Sequence, residues 1–224
     1  MAGGTKPIRV RQTHGWLGAA VARLLERSVR NGFHTVWWRP PARPLPRPCV
    51  LVANHHGWFD GHLLFLAVRR LGLPTVLWVE RLDEFPFFAS IGALPFPKTD
   101  AARRAATVLR TARWLRAGGN LAVFPEGVLH RPPDLDPIEP SLRLVRRVAP
   151  SVPLVPVAIR YEMSVHQRPE AWLTFGEPTE PESVASALQD LLASLVPEGR
   201  YEVLARGKPD DDERWRWPFS RSGG

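Results

Sequence analysis

The chain has 224 residues and a hydrophobic fraction of 44%, which suits one domain with a sizeable core and excludes disorder of the whole. Its formal net charge is +8, nearly all of the positive charge being Arg, so its surface suits nucleic acid, anionic lipid or an anionic cofactor, and charge alone ranks none of them. The one cysteine, Cys49, excludes an internal disulfide and favours the reducing cytoplasm, and no apolar run reaches the roughly 18 residues of an ordinary spanning helix.

Residues 1–12 read as a loose basic arm; no apolar core with a small-residue cleavage site follows, so no signal peptide is expected. From His14 to Asn31 the pattern is helical. Trp16, Leu17, Ala20, Val21, Leu24, Leu25 and Val29 recur at three- and four-residue steps, while Arg23, Arg27 and Arg30 fall largely off that stripe. Such a helix either packs on its own domain or lies in a membrane interface, Trp and Leu on one side and Arg on the other. Gly32 ends it. Phe33 to Trp38 is β-branched and aromatic, a strand, and the Pro-rich segment from Arg39 to Arg47 is a surface connection.

Pro48 to Ala53 is an apolar run of strand length, and Leu63 to Val68 reads as a helix with a strongly apolar face. Between them stands Asn54-His55-His56-Gly57-Trp58-Phe59-Asp60. His55 falls where the strand ends and Asp60 in the first turn of the helix, close enough for a tight turn to join imidazole to carboxylate. An Asp bonded to one ring nitrogen fixes the tautomer and stabilises the imidazolium formed when the other nitrogen takes a proton. That is a base and its orienter without an attached Ser or Cys nucleophile, so its target is a substrate hydroxyl. Two plainer readings compete. Asp60 is only a helix N-terminal residue and His55 a satisfied turn histidine, or His55, His56, Asp60 and His62 are metal ligands of a hydrolase.

Thr75 to Val79 is another strand, and Asp83 to Ile91 a short helix with Pro86 in its first turn. Gly92 to Lys98 is stiff and poor in helix or strand signals. Thr99 or Asp100 caps a helix running to about Arg116, which Gly118-Gly119 stops. Asn120 to Phe124 is a strand followed at once by Pro125-Glu126-Gly127. A glycine there either aims backbone amides at an anion or makes a plain turn. His130 to Pro140 is a polar loop and Pro140 to Ala149 a helix. Val152 to Ile159 is strongly apolar, but its prolines predict a sheet edge or a bulge. Ala171 to Phe175 is a strand closed by Gly176-Glu177-Pro178, Glu182 to Leu195 an amphipathic helix, and Pro197 to Ala205 extends or follows it. The end, with Trp215-Arg216-Trp217, reads as a disordered tail.

The alternation predicts an α/β fold, a mostly parallel mixed sheet flanked by helices, with an N-terminal amphipathic helix. The expected division is 1–32 for the arm and helix, 33–206 for the α/β domain and 207–224 for a polar tail. Ligands of such sheets bind beyond the carboxyl ends of strands, where the His55 and Glu126 turns share one mouth.

Four stretches, in order, resemble the glycerolipid acyltransferase family, which includes the bacterial lysophosphatidic acid acyltransferases. Asn54 to Asp60 is similar to its N-H-x-S-x-x-D block, Gly92 to Lys98 to G-x-I-x-x-x-R, Phe124-Pro125-Glu126-Gly127 to F-P-E-G, and Val152 to Ile159 to V-P-(I/V)-(V/I)-P-V; the likeness spans about residues 33–180. The resemblance implies transfer of a fatty acyl chain from an acyl-CoA or acyl-carrier-protein thioester to a lysophospholipid-like hydroxyl. It assigns His55 as general base and Asp60 as orienter. Gly57, Lys98, Phe124, Pro125, Glu126, Gly127 and Arg131 become substrate-binding candidates, Lys98 binding phosphate and Glu126 ordering the loop. Amides around Gly57 or Gly127 would stabilise the tetrahedral intermediate. No metal and no cofactor beyond the acyl co-substrate is implied, nor a nucleic-acid partner; the enzyme would sit peripherally on the inner, cytoplasmic face of a membrane. Three departures stand out. Gly57 occupies the usual Ser position, Lys98 the usual Arg, and Val128-Leu129-His130 the usual T-R-S, with Arg131 late. A non-phosphate lipid alcohol is therefore an alternative acceptor.

Overall fold

A computed structural model describes residues 15–132, 135 and 141–210. The basic arm, most of the 133–140 loop and Trp215 to Trp217 lie outside the described residues. The elements in chain order are α1 (Gly15–Gly32), β1 (Thr35–Arg39), β2 (Val50–Ala53), α2 (Asp60–Arg70), β3 (Thr75–Val79), β4 (Ala93–Pro95), α3 (Ala101–Arg116), β5 (Asn120–Val123), α4 (Ser141–Val148), β6 (Leu154–Glu162), β7 (Glu170–Phe175), α5 (Val184–Ser194) and β8 (Glu202–Arg206). The strands form one eight-stranded sheet in the order β4-β3-β5-β2-β6-β7-β1-β8. It is the mixed α/β sheet expected. β4, β3, β5, β2 and β6 run parallel, β7 turns back against β6, β1 runs with β7, and β8 is antiparallel to β1.

β2 is central because it can be: Val50, Leu51, Val52 and Ala53 are apolar on both faces and fully buried. From β2 the chain steps outward through α2 to β3. It later returns inward from β4 through α3 to β5. Crossovers of one hand taken in opposite directions put their helices on opposite faces. Accordingly α1 and α2 bury Val21, Leu25, Val29, Leu63 and Leu64 with Leu51 and Ala53 of β2. Val108, Leu115, Val145 and Leu188 of α3, α4 and α5 meet Val50 and Val52 on the other side. Asp100 caps α3, its carboxylate accepting from the Arg103 amide at 2.8 Å.

Several expectations change. Val152 to Ile159 is no edge: β6 lies between β2 and β7. Its Pro156 carbonyl accepts from the Gly176 amide at 2.8 Å. In a strand the N–H and C=O of one residue point the same way, so the missing N–H faces Gly176, just past the end of β7, and the proline forgoes only the return bond of that terminal pair. Residues 202–206 form an edge strand, β8, rather than a helical extension; only Ala205 of it is buried, so it carries no alternating pattern. Ala93–Pro95 is the opposite edge strand, a position that tolerates its proline. The helix expected over 83–91 is two short 3-10 turns, Leu82–Glu84 and Pro86–Ile91. Residues 207–210 are held against the body: the Gly207 amide bonds the His34 carbonyl at 2.9 Å and the Lys208 amide the Arg30 carbonyl at 3.1 Å.

Candidate active site

Parallel pairing of β5, β2 and β6 brings their carboxyl ends to one edge of the sheet. β2 delivers His55, β5 delivers Phe124 to Gly127, and β6 delivers Tyr161. Asn54, fully buried, extends the β2–β6 pairing by one residue with its side chain. Its amide nitrogen donates to the Ile159 carbonyl at 2.9 Å and its oxygen accepts from the Ile159 N–H at 2.8 Å. The same nitrogen lies 3.0 Å from His56 Nδ1.

One turn later the expected pair is formed. His55 Nδ1 lies 2.9 Å from Asp60 Oδ2. The carboxylate can only accept, so Nδ1 carries the proton and Nε2 is the ring's basic atom. Asp60 is completely buried, while the His55 side chain is 25% exposed. The Gly57 amide also donates to Asp60 Oδ2, at 2.8 Å, and the Tyr161 hydroxyl donates to Oδ1 at 2.5 Å. A buried charge of this kind is tolerated because each oxygen is hydrogen-bonded. Burial first, then the Asp60 charge and the hydrogen bond to it, pushes the Tyr161 hydroxyl well above its usual range, so it stays a donor. Asp60 is thus more than a helix-start residue: its oxygens serve His55, Gly57 and Tyr161.

The β5 turn closes on the same histidine. The Phe124 ring stacks on the His55 imidazole, centroids 4.5 Å apart at 22°. Glu126, buried, accepts from the His55 backbone N–H at 2.8 Å, and the His130 amide donates to the His55 carbonyl at 3.0 Å. Pro125 leads into this turn and Gly127 completes it at φ 70°, a left-handed conformation suited to glycine. Lys98 joins it: its Nζ donates to the Gly127 carbonyl at 3.2 Å and lies 3.4 Å from Glu80. The Gly92–Lys98 and F-P-E-G stretches therefore do meet, through a lysine already paired with an acid. Arg131 is exposed, just beyond His130.

Two ideas about this region need correction. The Gly57 amide is committed to Asp60, and the Gly127 amide donates to the Phe124 carbonyl at 3.1 Å, so neither points at an incoming oxyanion. The four suggested metal ligands do not gather either. Among the described residues the group with donor atoms within 4.8 Å of one another is His34, His166 and Glu170. His62 instead sits edge-on between Phe59 and Phe88, where burial lowers its pKa and keeps it neutral. The His34 cluster ties loops together: His166 Nδ1 is 2.9 Å from Asp210, the His34 and His166 rings stack at 3.4 Å, and Glu170 accepts from Trp37 and Ser164.

The sequence reading missed Tyr161 and gave Asn54 no role. Asn54 stood inside a quoted motif directly after a strand. Tyr161 had a weaker signal, a lone tyrosine at the end of an apolar run whose neighbour was unknown.

Comparison with known proteins bears on the family and the fold. The acyltransferase family pattern matches residues 41–160, more than half of the chain. No curated protein sequence matches. Among solved structures, the fold is similar to that of the 1-acyl-sn-glycerophosphate (LPA) acyltransferase PlsC from Thermotoga maritima, with a TM-score of 0.59, 18% identity, and 81% of this chain and 80% of that chain covered. The likeness read from the four sequence blocks is borne out, and the chain belongs to the acyltransferase family.

Proposed function

We propose that the protein transfers a fatty acyl chain from an acyl-CoA or acyl-carrier-protein thioester to the hydroxyl of a lysophospholipid-like acceptor. The observation that carries this is the 2.9 Å contact between His55 Nδ1 and a fully buried Asp60. His55 Nε2 removes the acceptor's hydroxyl proton as that oxygen attacks the thioester carbonyl carbon. The tetrahedral intermediate expels the thiolate as the C–S bond breaks, and Nε2–H returns the proton to sulfur. No protein nucleophile is needed, because a thioester is already activated. Asp60 holds the ring in the Nδ1–H tautomer throughout.

A second reading concerns the acceptor alone. Val128 and Leu129, at the positions of the family's usual polar residues, are 48% and 50% exposed, and the Lys98 ammonium already has Glu80. These features favour a less anionic lipid alcohol over a lysophosphatidate. Both substrates carry long chains, so the enzyme docks peripherally on anionic lipid at the inner face of a membrane. Among the described residues no helix is long and apolar enough to cross one.

The test is thiol release from acyl-CoA against lysophosphatidate, other lysophospholipids, glycerol phosphate and neutral lipid alcohols. His55→Ala removes nearly all turnover while the fold persists, and Asp60→Asn lowers kcat by roughly 10⁴-fold, as loss of the orienting acid does in a catalytic triad. Full activity in His55→Ala would end the proposal.

A further inference from the structure

Asp60 has two oxygens, and only one is explained by the histidine. The other, Oδ1, takes the Tyr161 hydroxyl at 2.5 Å. Tyr161 arrives from the end of β6, stacked on Phe33 at 5.8 Å and 23°. Its phenol is held protonated by burial and by the Asp60 charge. Gly57 faces the same ring. A Cβ added there would lie 2.7 Å from Tyr161 Cε2, 2.9 Å from Cζ and 3.0 Å from the hydroxyl oxygen. Real Cβ atoms do not approach within 3.0 Å, so a side chain at 57 would make the Tyr161 ring shift, and glycine leaves the phenol where it meets the carboxylate. The Gly57 amide meanwhile donates to Asp60 Oδ2 at 2.8 Å. The turn thus grips the acid on both sides, with one residue leaving room for the other.

We propose that Tyr161 is a positioning residue of the acyl-transfer site: its hydroxyl fixes the Asp60 carboxylate that orients His55, and Gly57 is its obligatory steric partner. This rests on the His55–Asp60 reading of the function. The physical reason is geometric. With Oδ1 bonded, the carboxylate cannot swing about its χ2, and Oδ2 stays in line with Nδ1–H. Remove the phenol oxygen and the carboxylate gains rotational freedom without losing its charge. A serine at 57 would project its own hydroxyl into the region the phenol oxygen occupies, so the two positions admit one hydroxyl between them.

Two readouts separate this from the function itself. In the full chain, the downfield Nδ1–H proton of His55, assigned by its loss in His55→Gln, is followed by NMR without substrate. Tyr161→Phe is expected to speed its solvent exchange by about tenfold or more. Gly57→Ser, which drives the ring off Asp60, does the same, and the double variant Gly57→Ser/Tyr161→Leu slows exchange again. In the thiol-release assay with palmitoyl-CoA and a lysophospholipid, Tyr161→Phe is expected to lower kcat about tenfold with KM within about twofold, and the double variant exceeds Gly57→Ser alone. Unchanged Nδ1–H exchange in a folded Tyr161→Phe overturns the proposal. So does a rise in KM without loss of kcat, or a double variant no better than Gly57→Ser. An inactive enzyme with the expected NMR response would instead fault the assigned reaction and leave the positioning role standing.

Discussion

At the scale of single residues, Cys49 and Asp60 are buried polar groups held by specific partners, and this has consequences beyond the site. Cys49 is fully buried at the foot of β2, its Sγ 3.4 Å from Asn120 Oδ1. Burial pushes its thiol up to about 12, against the opposing charge of Arg47. The thiolate is the nucleophile, so at pH 8 only about one molecule in 10⁴ is reactive even before access is considered. Iodoacetamide at pH 8 is therefore expected to leave the native chain unlabelled and to add one label per chain once it is unfolded, read by intact mass. Labelling of the native protein at the rate of a free thiol would contradict the burial of β2. The His55–Asp60 pair follows the same logic: Asp60 is fully buried, and the hydrogen bonds from His55, Gly57 and Tyr161 hold its carboxylate in place. Residue chemistry of this kind was partly legible beforehand. His55 and Asp60 lie five positions apart and announced themselves. Tyr161 and Asp60 are 101 positions apart, and nothing local to either names the other.

At the scale of elements, α1 illustrates how one periodic pattern serves two surfaces. Its apolar stripe is divided between the core and the solvent-facing side. Val21, Ala22, Leu25 and Val29 are buried in the cluster that includes α2 and Phe33. Trp16, Leu17 and Leu24 face outward, Trp16 at 83% and Leu24 at 61% exposure. Periodicity could not divide them, because Leu24 and Leu25 are neighbours and either could have been the inner one. The division is testable by denaturant unfolding. Leu25→Ala should cost about 2–5 kcal/mol, the range for truncating a buried leucine, while Leu24→Ala should lie within about 0.5 kcal/mol of the parent. Equal costs at the two positions would contradict this division, and a larger cost at Leu24 would reverse the orientation of the helix. Strand identity followed the same rule of burial. β2 and β5, buried throughout, were readable as apolar runs. β8 and β4, short strands at the two edges, were not. β6 was read as a strand but assigned the wrong place, because a proline's cost depends on which neighbour its missing N–H faces.

At the scale of the whole molecule, the edge of the sheet that carries His55 continues into a seam of aromatic rings. From Tyr161 the rings run through Phe33 and Phe59 to His62 and Phe88, then to Phe85, Phe87 and Trp58, with centroid separations between 4.6 and 6.3 Å. Trp58 is 64% and Phe87 42% exposed at the outer end of this seam. α1 packs against the Pro86–Ile91 turn that carries Phe87, and its exposed side adds Trp16 and Leu24 together with Arg23, Arg27 and Arg30. Aromatic and aliphatic side chains interleaved with arginines suit the boundary between headgroups and acyl chains, where the rings enter and the guanidinium groups stay with the phosphates. The seam would then lead a lipid from the bilayer toward His55. Deleting α1 cannot test this cleanly, because Leu25 and Val29 would be stripped from the core. Substitutions on the outer face can. In flotation with phosphatidylglycerol vesicles the parent chain is expected to rise with the lipid and to release at high salt. Trp16→Ala/Leu24→Ala should weaken binding by about tenfold while leaving the melting temperature and thiol release from a soluble acyl-CoA unchanged. Replacing Arg23 and Arg27 by Gln should weaken it only on anionic vesicles, since each arginine contributes through the surface potential. Undiminished flotation of both variants would remove the membrane from this face and leave the aromatic seam to be explained by a partner that binds Trp58 and Phe87 alone.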